Sequence, residues 1–311
     1  MSNLNPVSAA GYDIIGDIHG HANALRRLLS TMGYAELGGA FCHDDRKVIF
    51  VGDFIDRGPA QREVLQIARA MWEAGHALAV LGNHEFNAIG WVTPDDRGGF
   101  LRAHTEANRR QHNEFLQQFD RQQHRDAIGW FRSLPVWLEL PGLRVVHACW
   151  HEASRLALRP CLDGRSCFTE AGLRQALRRG TPAFQAAEIL MKGPEQRLPA
   201  GISFVDKDGH ERHEVRIKWW DLDATSFRKA AIGVDDRLSE LPDAALPVDY
   251  IYRDTTPVLF GHYWMMGEPR LTSQTAACLD FSVARKGYLT AYRWSGERVL
   301  APDHLVHVAA G

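Results

Sequence analysis

Excess charge of either sign is missing from this sequence: 36 Lys and Arg face 38 Asp and Glu, a formal net charge of −2. Without a global field, stable adhesion to nucleic acid or to an anionic membrane surface is not expected, and an anionic ligand must be held by local groups. Cysteine is scarce as well. The five present (Cys42, Cys149, Cys161, Cys167, Cys278) are scattered, odd in number and form no C-x-x-C pair. That points away from a disulfide framework and a thiolate zinc site, and toward a reducing compartment. No window approaches the ~18 apolar residues of a membrane span. The opening residues MSNLNPVSAAGYD lack a basic segment followed by an apolar one, so a soluble, cytoplasmic protein is expected. Repeats and low-complexity tracts are also lacking. What remains, 45% apolar and 24% charged over 311 residues, is enough to bury a sizeable core in one large domain or two small ones.

Three short apolar runs stand out because each stops at a glycine. Tyr12-Asp13-Ile14-Ile15 runs into Gly16, Lys47 to Val51 into Gly52, and Ala77 to Leu81 into Gly82. Each reads as a buried strand. Helical spacing follows the first two, with Leu25, Leu28, Leu29 and Met32, then Val64, Ile67, Ala68 and Met71 behind Pro59. Strands alternating with helices predict βαβ units, an α/β fold whose ligands gather beyond the carboxyl ends of the strands. Residues 100–130 are polar, with Phe115, Leu116 and Phe119 as periodic apolar points. They predict a surface helix or pair of helices with His104, His112 and His124 on the solvated face. Val136 to Leu140 and Leu143 to His147 read as strands joined by Pro141-Gly142. Pro257 to Phe260, Ala276 to Val283 and Tyr288 to Trp294 read as later strands. Between them, residues from about 150 to 250 mix an Arg-rich helical segment, Leu173 to Arg179, with a hairpin around Asp206-Lys207-Asp208-Gly209. That region is read as a cap or insertion in a single domain covering 1–311.

The three glycine-terminated runs continue as GDIHG (Gly16 to Gly20), GDFIDRG (Gly52 to Gly58) and GNHE (Gly82 to Glu85). Two Asp, an Asn and two His thereby fall at one edge of one sheet. Hard or borderline divalent cations take this mixture of carboxylate, carbonyl and imidazole. Two such cations need a bridging ligand, and the carboxylate of Asp53 has two oxygens and a charge to share. Asp17 and His19 then serve one ion and Asn83 the other. His84, an imidazole able to donate a proton near neutral pH, is the candidate general acid, with Asp56 to hold its ring. Arg57 offers a planar guanidinium to two phosphate oxygens at once.

These blocks, intact and in order over Tyr12 to Phe86, resemble those of the calcineurin-like metallophosphoesterases, in particular the branch of phosphoprotein phosphatases and symmetrical dinucleoside tetraphosphatases. The resemblance continues in VVHACW and VLFGHYW, where it places two further metal-binding His, His147 and His262. It implies β-sandwich-like sheets flanked by helices. Asp17, His19 and Asp53 would hold one metal and Asp53, Asn83, His147 and His262 the other, with His84 as general acid. Manganese is the expected metal, with iron or zinc as alternatives, and a water between the ions the nucleophile. One departure stands beside it: the family's Gly-Gly after the first of these His is Ala148-Cys149 here.

Outside the blocks, Lys192, Arg197, Arg216 and Lys218 are candidates for a second phosphate clamp, each equally readable as part of a solvated cationic face. Trp219-Trp220 and Trp91 are either cleft walls or core, with one of the adjacent pair expected inside. Cys149 has no evident base beside it and reads as a structural thiol. The expected activity is hydrolysis of phosphomonoesters or phosphoanhydrides on a phosphorylated small molecule, nucleotide or phosphoprotein. A dinucleoside-tetraphosphatase-like enzyme leads over a Ser/Thr phosphoprotein phosphatase, and both lead over a metal-loaded binding module without turnover.

Overall fold

The alternation of apolar strand and amphipathic helix builds a parallel core. In the computed structural model, which describes residues 10–205, 211–248 and 250–311 with the side chains of 235–237 left aside, Gly11–Ile15 pairs in parallel with Arg46–Phe50, and that strand with Ala77–Ala79. Tyr288–Trp294 adds antiparallel on the other side of Gly11–Ile15, and both Asp280–Phe281 and Leu305–Ala309 pair with it. A second sheet runs Trp137–Leu140, Leu143–Val146, Val258–Phe260, Ala276–Cys278.

The two sheets stack face to face, as the period-2 alternation of their strands requires. Ile14, Ile49, Val51 and Val80 of the first meet Val145, Leu259 and Ala277 of the second, with Tyr292 between. The opposite face of the first sheet, Ile15, Val48 and Phe50, packs under the helices Ala22–Thr31 and Gln61–Glu73 through Leu25, Leu28, Leu29, Val64, Ala68 and Met71. This is the expected α/β architecture of sandwiched sheets flanked by helices.

Residues 100–130 form a pair of helices, Glu106–Gln118 capped by Thr105 and Arg121–Phe131 opened by a capping box on Asp120. Here a correction is needed: His112 is buried, not solvated. The apolar stripe of Phe115 continues one turn toward the N-terminus and carries His112 inward. His104 is exposed as expected, and His124 is half-buried against Phe115.

Ala276 to Val283 is also not one strand. The chain leaves the second sheet at Cys278 and joins the first at Asp280. The crossing is tight, since a Cβ on Gly16 would stand 2.1 Å from the Leu279 carbonyl oxygen.

Between the two later sheet segments lie the helices Glu152–Leu158, Glu170–Leu177 and Pro182–Lys192, whose Leu158, Leu173, Leu190 and Met191 join the main apolar cluster. A three-stranded antiparallel sheet follows, Glu195–Arg197, Glu214–Ile217 and Ala231–Ile232. It has its own small core of Leu198, Val215, Ile217, Phe227 and Leu241. The strands Phe204–Val205 and Glu211–Arg212 pair antiparallel, while the turn read at Asp206-Lys207-Asp208-Gly209 lies outside the described residues.

Candidate active site

The loops after the three parallel strands turn sharply. His19, Asp53, Asp56 and Arg57 all have φ between 44° and 72°, and His262 has φ 76°. Left-handed backbone costs a non-glycine residue on the order of 1 kcal/mol, so surrounding bonds must hold it. The Ile18 and His19 amides donate to the Asp53 carbonyl. Glycine is required where the loops touch: a Cβ on Gly82 would lie 2.3 Å from the Asp53 nitrogen, and one on Gly261 would lie 1.9 Å from Asp17 Oδ1.

The result is one buried cluster that contains every predicted ligand. His19 Nε2 lies 3.6 Å from Asp53 Oδ2 and 4.0 Å from Asp17 Oδ2. His147 Nε2 lies 3.4 Å from Asp53 Oδ1 and 2.9 Å from Asn83 Oδ1, and His262 Nδ1 is 2.8 Å from the same Asn83 oxygen. The His262 amide donates to both Asp17 oxygens at 3.1 Å. Two groups could hold a cation, His19 with Asp53 and His84, and Asp53 with His147 and His262, and they share Asp53. The first differs from expectation by containing His84 where Asp17 was expected.

The donor chemistry fits divalent ions. His19 Nδ1–H donates to the Ile55 carbonyl at 2.9 Å and His147 Nδ1–H to that of Val51 at 2.7 Å, so in the neutral rings both Nε2 lone pairs face the carboxylates, where a cation would take the place of the proton that Asp53, against burial, favours on His147. His19 Nε2 and His262 Nε2 are buried with no hydrogen-bond partner among the described residues. An orphaned buried polar atom costs about 1–3 kcal/mol, and a cation at its lone pair removes that cost. Burial and the Asp280 and Asp53 carboxylates push the Asp17 carboxyl well above its usual range. Burial, helped by His84, holds His19 down at about 3 and therefore neutral, as a ligand must be.

Two carboxylates escaped the sequence reading. Glu85, fully buried, accepts the amides of Asp53, Phe54 and Ile55 and so clamps the middle loop. Asp280 accepts the Trp264 amide at 2.8 Å and the Ser282 amide at 3.0 Å, fixing the loop that follows His262. Unlike Asp17 and Asp53, which follow Gly16 and Gly52, it follows Leu279 with no glycine to mark a strand end.

Beside the cluster, His84 Nδ1 and Asp56 Oδ2 are 2.5 Å apart. Burial would raise Asp56, but hydrogen bonds from His112 and His84 overcome it and hold the carboxyl at about 2. Burial likewise opposes charge on His84, yet the Asp53 and Asp56 carboxylates prevail and raise its pKa. The Arg57 guanidinium stacks 3.8 Å from the Trp264 ring centroid, and Arg285 stands on the same ring at 4.3 Å.

A cavity of about 320 Å³ opens over Asp53, Asn83, His84 and His262, and four cations line it: Arg57, Arg102, Lys192 and Arg216. Of the basic residues singled out in the sequence, Lys192 and Arg216 face this cavity, whereas Arg197 and Lys218 are not among its lining residues. Arg102 was missed. It is held by two neutral amides, Asn87 Oδ1 and Gln111 Oε1, both at 2.7 Å.

Both Trp219 and Trp220 are core, because they lie on a turn where strand alternation does not apply, packed on Phe260 and Tyr263. Trp91 is core too, stacked on His104 at 3.7 Å. Cys149 is fully buried with its thiol pushed up by burial, and the amides of Ala148 and Cys149 both donate to the Leu190 carbonyl.

The family model described as calcineurin-like phosphoesterase matches residues 12–169. The chain is 40% identical over 74 residues to the asymmetrical bis(5'-nucleosyl)-tetraphosphatase PrpE of Halalkalibacterium halodurans, covering 24% of this chain and 30% of that one. It is 32% identical over 135 residues to the symmetrical bis(5'-nucleosyl)-tetraphosphatase of Aromatoleum aromaticum, covering 43% and 42%. The chain thus spans less than half the length of either relative. A crystal structure of a candidate diadenosine tetraphosphatase superposes with a TM-score of 0.52 at 18% identity over 98% of this chain and 96% of that one. That likeness is one of fold.

Proposed function

The chain belongs to the calcineurin-like phosphoesterase family, and we propose that it is a metal-dependent hydrolase of phosphoanhydrides and phosphomonoesters, acting on a dinucleoside polyphosphate or a similar small phosphorylated molecule. The observation that carries this reading is the meeting of two cation-competent groups at Asp53 with a cavity lined by four basic side chains. A lone phosphate group brings about two negative charges, which a metal pair and Arg57 already meet; Arg102, Lys192 and Arg216 suit further phosphates in a chain.

Asp17, His19 and Asp53 would hold one divalent ion and Asp53, Asn83, His147 and His262 the other, manganese by preference, with iron and zinc compatible with the same donors. When bound, such a pair lowers the pKa of water and offsets phosphate charge. Arg57, propped on Trp264, grips phosphate oxygens. His84, its Nδ1 tied to Asp56, presents Nε2 to the leaving oxygen and donates the proton that oxygen needs. His84 is assigned to this task and Asp17 to the metal because the Nδ1 bond to Asp56 favours a protonated ring, whereas the crowded Asp17 carboxylate gains from a cation.

Residues from about 150 to 250 serve as a cap on a single domain, contributing Lys192 and Arg216 to the cavity wall. A cytoplasmic location fits the buried free thiols and the absence, among the described residues, of a helix long and apolar enough to cross a membrane. The test is product release by the manganese-loaded protein, with a metal-stripped control, on diadenosine tetraphosphate, nucleotides, p-nitrophenyl phosphate and phosphopeptides. Metal-dependent turnover highest on the polyphosphate supports the reading. Preference for phosphopeptide replaces it with a phosphoprotein phosphatase, and no turnover on any member overturns it.

A further inference from the structure

We infer that His112 is a positioning residue for proton transfer, the far member of a His84–Asp56–His112 chain. The inference rests on the assignment of His84 as the proton donor. Asp56 is buried, and its carboxylate is held at both ends: Oδ2 at 2.5 Å from His84 Nδ1 and Oδ1 at 3.1 Å from His112 Nδ1. One oxygen alone would leave the carboxyl group free to rotate about its bond to Cβ. With both engaged its plane is set, and with it the direction in which His84 Nε2 points.

His112 is suited to that task and to little else at its position. It comes from the Glu106–Gln118 helix, 56 residues from Asp56 in the chain, and is 4% exposed. Phe115 and Trp91 pack near its ring at centroid distances of 5.0 and 5.7 Å. Its Nε2 is buried and has no hydrogen-bond partner among the described residues. The tautomer with hydrogen on Nδ1 is therefore the one that serves Asp56, since a carboxylate can only accept. A buried imidazole with one unused nitrogen is a poor choice for packing alone, as a phenyl ring would fill the same space without the orphaned atom. It lies outside the cavity lining.

Two substitutions test this. His112→Phe keeps the packing and removes the donor; His112→Asn returns an N–H near the Nδ1 position. If His112 aims the proton donor, His112→Phe lowers kcat about 10-fold or more on phenyl phosphate, whose leaving group needs a proton, and less than about 3-fold on 2,4-dinitrophenyl phosphate, with KM within about 2-fold. His112→Asn recovers most of the loss. Proton NMR in water reads the same contact without turnover: the His84 Nδ1 proton is expected far downfield in the native protein and in His112→Asn, and lost to exchange in His112→Phe. Equal loss on both esters, no loss, a loss that Asn does not recover, or a persistent downfield proton in His112→Phe overturns the inference. Should the native protein show no metal-dependent turnover, the proposed function fails by that result, and the NMR comparison still decides whether His112 holds the pair.

Discussion

The carboxylate of Glu85 lies 2.8 Å from the amide nitrogen of Asp53, although the two residues are 32 apart in the chain. The same carboxylate accepts the amides of Phe54 and Ile55, so one buried side chain holds the three-residue turn on which Asp53, the proposed bridging acid, stands. The last letter of the GNHE block is thus explained by backbone geometry rather than by contact with substrate.

Glu85→Gln places an NH₂ donor among amides that are themselves donors. Loss of about 2–3 kcal/mol of stability is expected, the cost of leaving buried amide groups unpaired. Metal affinity should fall with it, because Asp53 loses its support. Denaturant midpoints and metal content by elemental analysis check both, and an unchanged midpoint would reject the clamp.

Asp53→Asn removes the only group common to both cation-competent sets. The variant is expected to retain less than half of the native metal and to lose turnover. In the native protein, saturating manganese should raise the melting temperature, since a ligand at about 100 times its Kd adds about 2.7 kcal/mol. A native-like metal content in the variant would remove Asp53 from its bridging role.

Trp264→Leu leaves Arg57 in the sequence but removes the ring it stacks on at 3.8 Å. A stacked guanidinium gains about 0.5–2 kcal/mol from an aromatic face. Competitive inhibition by inorganic phosphate should therefore weaken by about 2- to 30-fold, and Arg57→Ala should weaken it further. The ratio of the two inhibition constants measures how much of the grip is preorganised by the indole.

Asp56 makes acid stability a probe of the dyad. Its carboxyl is held at about 2, against 3.8 for the ordinary group, so between these values the unfolded chain binds the proton more tightly than the native one. The stabilisation is fully present above about 3.8 and is lost as the pH falls through about 2, with a size on the order of 2 kcal/mol. Asp56→Asn, measured in metal-free protein by denaturant unfolding from pH 5 to 2, should lose that part of the slope. A slope identical to the native one would show that the hydrogen bonds from His84 and His112 do not hold the carboxylate.

Much of the site was legible because its residues follow strands directly. Asp17, Asp53 and Asn83 each come immediately after a glycine that ends an apolar run, and strand ends in one parallel sheet share an edge whatever else the chain does. His112, Arg102 and Asp280 were not legible for the opposite reason. His112 and Arg102 reach the site from a helix and a loop whose packing angle no local pattern states, and Asp280 depends on where the chain crosses between sheets. The misreading of His112 had a local cause as well: with Gln and Arg around it, an inward-facing imidazole looks like one more polar residue on a solvated helix.

Local order along the chain was enough for the α/β pattern, the ligand loops and the chemistry of their donors, because period-2 and period-3.6 hydrophobicity act over a few residues and ligand type is a property of each side chain. Convergence was a matter of folding. Stacking the two sheets brings His147 and His262 to Asn83, and packing the Glu106–Gln118 helix brings His112 to Asp56. Contacts between groups 56 to 179 residues apart arise from burial of a common core, which is non-directional and carries no local signature.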